Sequence, residues 1–259
     1  MRTLLLLLVW TLVIPGIAQT AATAVKPMAA DAHPSFAVAA MNPHDPESSR
    51  QSGIYTEGDR FIIRNESVAS MMVFAYSIHP RQIVDAPDSL FHERWDIQGK
   101  PDIEGEPSGS QMREMLQKLL VDRFGLKFHR EHRELPVYAL QIAKGGPKLT
   151  PAKHPDAKPN EESSGKGTEA TVVYTSATTQ DFTAGEQRFL DRPLVDQTLL
   201  IGKYDISLRY TYDEARATDP NAPAGLFTAM QEQLGLKLQP VKAPVDVLVI
   251  DAIERPSEN

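Results

Sequence analysis

The sequence predicts an α+β fold made of two related halves, each a small mixed β-sheet carrying two helices. Three observations predict it. The stretch Phe124-Gly125-Leu126-Lys127-Phe128 returns as Leu234-Gly235-Leu236-Lys237-Leu238. Each copy follows apolar residues at helical spacing: Met112, Met115, Leu116, Leu119 and Leu120 in one, Leu226, Phe227, Met230 and Leu234 in the other. Each precedes a polar turn and then a proline-led apolar run, Pro136 to Ile142 or Pro244 to Ile250, with the first turn two residues longer. A repeat of this length predicts a duplicated unit.

In chain order, Phe36 to Met41 predicts a strand at the start. Phe61-Ile62-Ile63-Arg64 and Val172-Val173-Tyr174-Thr175 open the two halves as strands. Ser67 and Thr178 follow them, placed to accept free N–H groups at the start of a helix. Ile83-Val84-Asp85 then leads to Arg94-Trp95-Asp96-Ile97, and Leu194-Val195-Asp196 to Lys203-Tyr204-Asp205-Ile206. Ser108 or Ser110 caps the next helix of the first half. Gly125 and Gly235 suit the left-handed residue that ends a helix. The runs 135–143 and 244–253 are apolar on both alternating faces, as in central strands covered on two sides. Their prolines stand at strand starts, where a missing N–H is tolerated. The expected order is strand, helix, strand, helix, strand, strand, used twice.

The expected divisions are a signal peptide at 1–24, an extension with one strand at 25–53, a first half at 54–144, a linker at 145–169 and a second half at 170–259. Arg2, the apolar run Leu4 to Val13 and the small residues up to Ala24 form the signal pattern. That run is shorter than the roughly 20 residues a membrane-spanning helix needs, so membrane contact is expected only through an uncleaved signal segment. Gly145 to Glu169 is rich in Pro, Lys, Glu, Ser and Gly, and such a composition buries too little to order itself. Asp213 to Pro223 and Gly99 to Gly109 read as polar loops, and residues 25–33 as disordered.

The chain of 259 residues carries a net charge of −7, 41% hydrophobic residues and no cysteine. Disulfides, thiolate metal sites and a lipid-anchored cysteine are thereby excluded. A mild acidic balance without a Lys/Arg stripe argues against nucleic-acid binding. An exported, cysteine-free chain points to a periplasmic or secreted location.

Several segments carry a resemblance: Arg133 to Leu140, Gly145-Gly146-Pro147-Lys148-Leu149, Pro193 to Thr198, Gly202 to Ile206, Gln231 to Leu238, Val247 to Asp251 and the ending Glu254 to Asn259. They resemble a large family of exported proteins of unknown function, abundant in acidobacteria. Its domains also occur fused to sensor-type membrane metallopeptidases, which implies a sensing or docking role but no transferable activity. The family often has Thr-Gly-Leu where this chain has Thr198-Leu199-Leu200. Each unit also looks similar to short envelope domains of secretins, an analogy of fold alone.

His129-Arg130-Glu131-His132 is the segment closest to a metal site. The zincin pattern needs His-Glu-x-x-His on a helix, so that both rings share a face. Here a hairpin is expected, and positions 129 and 132 of a regular strand face opposite ways. A hydrolase using His129 and His132 needs a third ligand, His79 or His92. Asp85, Asp96, Asp196 and Asp205 recur in both halves; paired carboxylates can serve as general acid and base, but recurrence in both copies favours shared architecture, as with turn-capping aspartates. Trp95 and Tyr204 occupy matching positions, in the core or lining a groove. No Gly-x-Ser-x-Gly elbow occurs, and Gly165-Lys166-Gly167-Thr168 lacks the P-loop spacing.

No catalytic set and no cofactor is expected. The sequence favours a non-catalytic binding or interaction module. Its partner is an envelope protein, a peptide or a glycan, taken at a strand edge near Ile253 or between the halves. The alternatives are the metal-dependent hydrolase and a structural envelope spacer.

Overall fold

The structure is a computed structural model, and it describes residues 26–48, 52–213 and 222–256. The expected signal peptide and most of the loop 213–223 lie outside the described residues. Among those residues no helix is long and apolar enough to cross a membrane.

The chain begins with strands β1 (Phe36–Pro43), β2 (Gly53–Glu57) and β3 (Arg60–Ser67). Helix α1 (Val68–Tyr76), strand β4 (Ile83–Val84), the short helix α2 (Ser89–His92) and strand β5 (Arg94–Pro101) follow. Helix α3 (Gly109–Phe124) then leads into the long strand β6 (Lys127–Ile142). Next come β7 (Thr150–Pro151), β8 (Asn160–Lys166), β9 (Glu169–Ala177), α4 (Thr179–Glu186), β10 (Leu194–Asp196) and β11 (Tyr204–Thr211). Helix α5 (Leu226–Ala229) continues as a π-helical turn (Met230–Leu234), and β12 (Leu236–Ala252) closes the fold.

Local chemistry fixes the helix ends. The Ser67 hydroxyl accepts the Ser70 N–H, and Ser108 and Thr178 cap α3 and α4 with reciprocal bonds from Gln111 and Asp181. Each cap satisfies donors the helix leaves free and is worth about 1 kcal/mol. Gly125 and Gly235 end the helical segments in the left-handed conformation, at φ 58° and 64°.

Three four-stranded sheets result, in the orders β1-β5-β3-β2, β10-β6-β12-β4 and β7-β11-β9-β8. The middle sheet is organised by one antiparallel pairing of β6 with β12, running from Ile142↔Leu236 to Lys127↔Ala252. Alternation along these strands sorts their side chains. On one face Phe128, Leu248 and Ile250 meet a core that includes Met71, Met72, Trp95, Met115, Leu116 and Phe124. Further along that face Leu140 and Leu236 meet a second core with Phe182, Ile206, Leu208, Tyr210 and Met230. On the other face Val137, Ala243, Val245, Val247 and Val249 form a third cluster.

The expected hairpins at 127–142 and 236–252 do not form: each is a single strand. Residues 129–134 contain no Gly, Asn or Pro to make a turn. Their backbone finds partners on β12 instead, with His129↔Val249 and His132↔Asp246. The observed order in the first stretch is therefore strand, helix, strand, a short helix, strand, helix, long strand. The stretch expected as a linker, 145–169, contains β7 and β8, and β8 pairs along its length with β9. An exposed edge strand needs little apolar surface when its neighbour supplies the hydrogen bonds, so composition misleads there. Residues 26–33 are tied down rather than disordered: Pro27 bridges to Glu106, and Met28 is buried. The loop expected from Gly99 starts later, because β5 runs to Pro101.

Candidate functional site

The end of β5 nearest α2 borders a cleft of about 510 Å³, lined by Pro43, His44, Pro46, Ser48, Asn65 and residues His92 to Trp95, with Arg255. Three local devices build it. Strand β1 ends at Pro43 opposite Trp95, which places His44 beside β5. Strand β3 breaks register with β5 between Ile63 and Glu66. Within that break Asn65 adopts φ 52°, a left-handed conformation that Asn tolerates better than most residues. Finally, the Glu254 N–H donates to Phe124 O at 2.7 Å, which pins the chain after β12 and brings Arg255 over the cleft.

Trp95 is the partition of the site. It is only 2% exposed and packs edge-on against Phe124, ring centroids 5.5 Å apart. It lines the cleft on one side and, on the other, a small cavity of about 60 Å³ whose walls include Val68, Leu90, Phe124 and Ile253. Its indole N–H is buried and has no hydrogen-bond partner. Buried polar groups are nearly always satisfied, so an orphaned donor beside a cleft calls for a reason. The Arg255 guanidinium lies 5.9 Å from the indole centroid, and its Nε is 3.6 Å from Glu93 Oε2. Both contacts are long.

The polar wall is more tightly held. Asp96 Oδ1 accepts the Asn65 N–H at 2.8 Å and stands 2.9 Å from His44 Nδ1. Arg94 Nη1 donates to Asn65 O at 3.3 Å. Behind Arg94, burial raises the Glu66 carboxyl above its ordinary range, opposed by a Ser70 hydrogen bond and by the Arg94 charge.

The residues singled out in the sequence fall in several places. Trp95 and His92 reach this cleft, and Asp96 supports it. His129 and His132 stand on opposite faces of β6. His129 Nδ1 is 2.8 Å from Asp251 and its Nε2 is 3.2 Å from Glu131, while His132 Nδ1 is 2.6 Å from Asp246. His79 is buried: its Nδ1 accepts the Arg81 N–H and its Nε2 donates to Leu190 O, which fixes one neutral tautomer. Burial, in turn, lowers its pKa. The structure therefore does not bring these histidines together, and among the described residues no group of three or more His, Asp or Glu side chains is placed to hold a metal ion.

Asp205 accepts from the N–H groups of Ser176 and Lys153, and Asp196 from Thr198 N–H and the Thr179 hydroxyl. These are the turn-capping roles expected of them. Asp85 instead takes Arg133 in an ion pair at 2.8 Å. The Tyr204 hydroxyl donates to Ile201 O. Gly165 and Lys166 end β8, and Gly167 and Thr168 connect it to β9. Ile253 contributes to the small cavity behind Trp95. Where a cleft between two halves was expected, Gln187 Nε2, after α4, donates to Ser77 O, after α1.

Sequence reasoning missed His44, Asn65, Arg94 and Arg255. Arg94 and Arg255 had signals, the one in the recurring segment matched by Lys203 and the other in the closing segment that carries the resemblance. It also missed Glu186, which is fully buried and takes the Tyr174 hydroxyl at 2.9 Å and the Tyr210 hydroxyl at 3.4 Å. Burial is the main cause that pushes its carboxyl up to about 7.

The arrangement defines an α+β protein with a polar, aromatic-walled cleft beside its first sheet. Residues 69–253 match the family described as protein of unknown function DUF3738, and the chain belongs to that family. No curated protein and no solved structure matches it. The match includes His92 to Trp95, whereas Pro43 to Asn65 and Arg255 lie outside it.

Proposed function

We propose that this protein is an exported, non-catalytic binding module of the periplasm or extracellular space, with its ligand site at the Trp95 cleft. The observation that carries this reading is the cleft itself. It combines a buried aromatic wall holding an uncommitted N–H with a rim of Arg94, Arg255, His44, His92 and Asn65. Concave sites with an apolar wall and a few fixed polar groups are the usual form of ligand sites. Export rests on the apolar run at 4–13 and the small residues after it.

We infer further that the chain descends from two related halves that share the β6–β12 pairing. Asn65 and Ser176 both take left-handed φ and donate N–H to Asp96 and Asp205. The short strands β4 and β10 run parallel to β12 and β6, meeting them at Leu248 and Tyr138, equally far beyond Gly235 and Gly125. In the second half Tyr204 takes the place of Trp95.

One observation favours a hydrolytic reading. His44 Nδ1 faces Asp96, the orientation that prepares a ring as a general base. Among the described residues, however, no hydroxyl is hydrogen-bonded to its other nitrogen.

The test uses the Trp10→Phe chain, in which Trp95 is the single tryptophan. Titrated with size-fractionated envelope extract, its emission should shift saturably. The shift should disappear in His92→Ala, with the unfolding midpoint unchanged. Turnover of an ester or amide substrate that is lost in His44→Ala would replace this reading with the hydrolytic one.

A further inference from the structure

We propose that the Trp95 cleft takes an anionic group, a carboxylate at the end of a short peptide, held between Arg94 and Arg255. This rests on the cleft being the ligand site and adds the chemical class. Free donors outnumber free acceptors around the cleft. Guanidinium groups present a planar fork of N–H donors matched to a carboxylate. Arg94 commits one to Asn65 O at a long 3.3 Å. The Arg255 contact to Glu93, at 3.6 Å, is beyond hydrogen-bond reach. The ring of Trp95, whose N–H is buried and without a partner, lines the cleft beside them.

On the acceptor side the cleft is poor. Asp96 Oδ1, beside the cleft wall, is held by the Asn65 N–H and by His44. Among the described lining residues Glu93 is the one carboxylate. An incoming carboxylate would displace Glu93 from Arg255 and draw that guanidinium from the indole face. A volume of about 510 Å³ accommodates two or three residues of chain behind the charged end.

The experiment again uses the Trp10→Phe chain. Its probes are N-acetyl-trialanine as the free acid, the same peptide as the C-terminal amide, and inorganic phosphate. The acid should shift Trp95 emission saturably, and the amide should bind at least tenfold more weakly. Arg94→Ala and Arg255→Ala should each weaken the acid by tenfold or more. Glu93→Gln should tighten it two- to fivefold by removing the competing carboxylate, an effect that mere unfolding cannot imitate. Phosphate binding as tight as the acid would support the anion site and assign it to free phosphate. Equal binding of acid and amide, or no response to any probe, overturns the anionic class. If envelope extract still shifts Trp95 in that case, the cleft remains the ligand site and only its chemistry is wrong.

Discussion

Replacing Glu186 by glutamine should flatten part of the protein's pH-dependent stability. Glu186 ends α4 with no exposed surface, between the Tyr174 and Tyr210 hydroxyls, with the Arg188–Glu161 ion pair beside it. Burial is the largest influence on its carboxyl. Hydrogen bonds from the tyrosines and the Arg188 charge oppose burial without overcoming it, and the carboxyl is pushed from an ordinary 4.5 up to about 7. The folded state therefore holds this proton more tightly than the unfolded chain does. Its stabilisation is fully present below about pH 4.5 and is lost as pH rises through about 7. A rise of roughly 2.5 units at 1.36 kcal/mol each amounts to about 3 kcal/mol. Glutamine cannot ionise, so the variant lacks this slope. Its amide N–H groups need partners, which costs about 1–3 kcal/mol at every pH. Urea unfolding of both proteins at intervals from pH 4.5 to 8.5 gives the difference between them. The variant should start less stable and gain about 3 kcal/mol on the wild type across that range. Subtraction removes other titrating groups, His129 among them. A difference that does not change with pH would refute the reasoning.

Three further outcomes follow from the same geometry. Gly185→Ala should destabilise by about 1–3 kcal/mol in urea unfolding despite alanine's better helix propensity, because the new Cβ would stand 2.0 Å from the Tyr174 hydroxyl oxygen. A neutral result would mean that Tyr174 can leave Glu186 freely. Leu199→Gly should stabilise by about 0.5–1 kcal/mol, since Leu199 is 91% exposed and held at φ 58°, where glycine escapes the steric penalty; a loss of stability would show that the leucine is packed. The His129 ring should titrate above its ordinary value because its nitrogens face Asp251 first and Glu131 second. Nuclear magnetic resonance titration should show Asp251→Asn lowering that value, and an unmoved midpoint contradicts the pairing.

Much of the fold is readable locally. Ser67, Ser108, Thr178, Gly125 and Gly235 act through groups within a few residues, so their sequence context carries the information. The long strands are different. Whether 127–142 turns back or runs straight depends on β12, more than a hundred residues away, and the polar residues 129–134 favour neither course by themselves. Strand β8 is likewise made by β9, since its own side chains are almost all exposed. The cleft was half legible. Trp95 and His92 stand out as residue types, but Asn65 matters through a backbone conformation and His44 through a strand end, neither of which composition marks. Glu186 was invisible because nothing in Thr183-Ala184-Gly185-Glu186 separates a buried glutamate from a solvated one.

The most direct test of the ligand site is the indole N–H resonance of Trp95, isolated in the Trp10→Phe chain and followed while N-acetyl-trialanine or envelope extract is added. With no partner for this N–H in the free protein, a ligand in the cleft should move the resonance saturably, and His92→Ala should leave it in place. A bound ligand that shifts resonances elsewhere while the Trp95 indole stays unmoved would contradict the account.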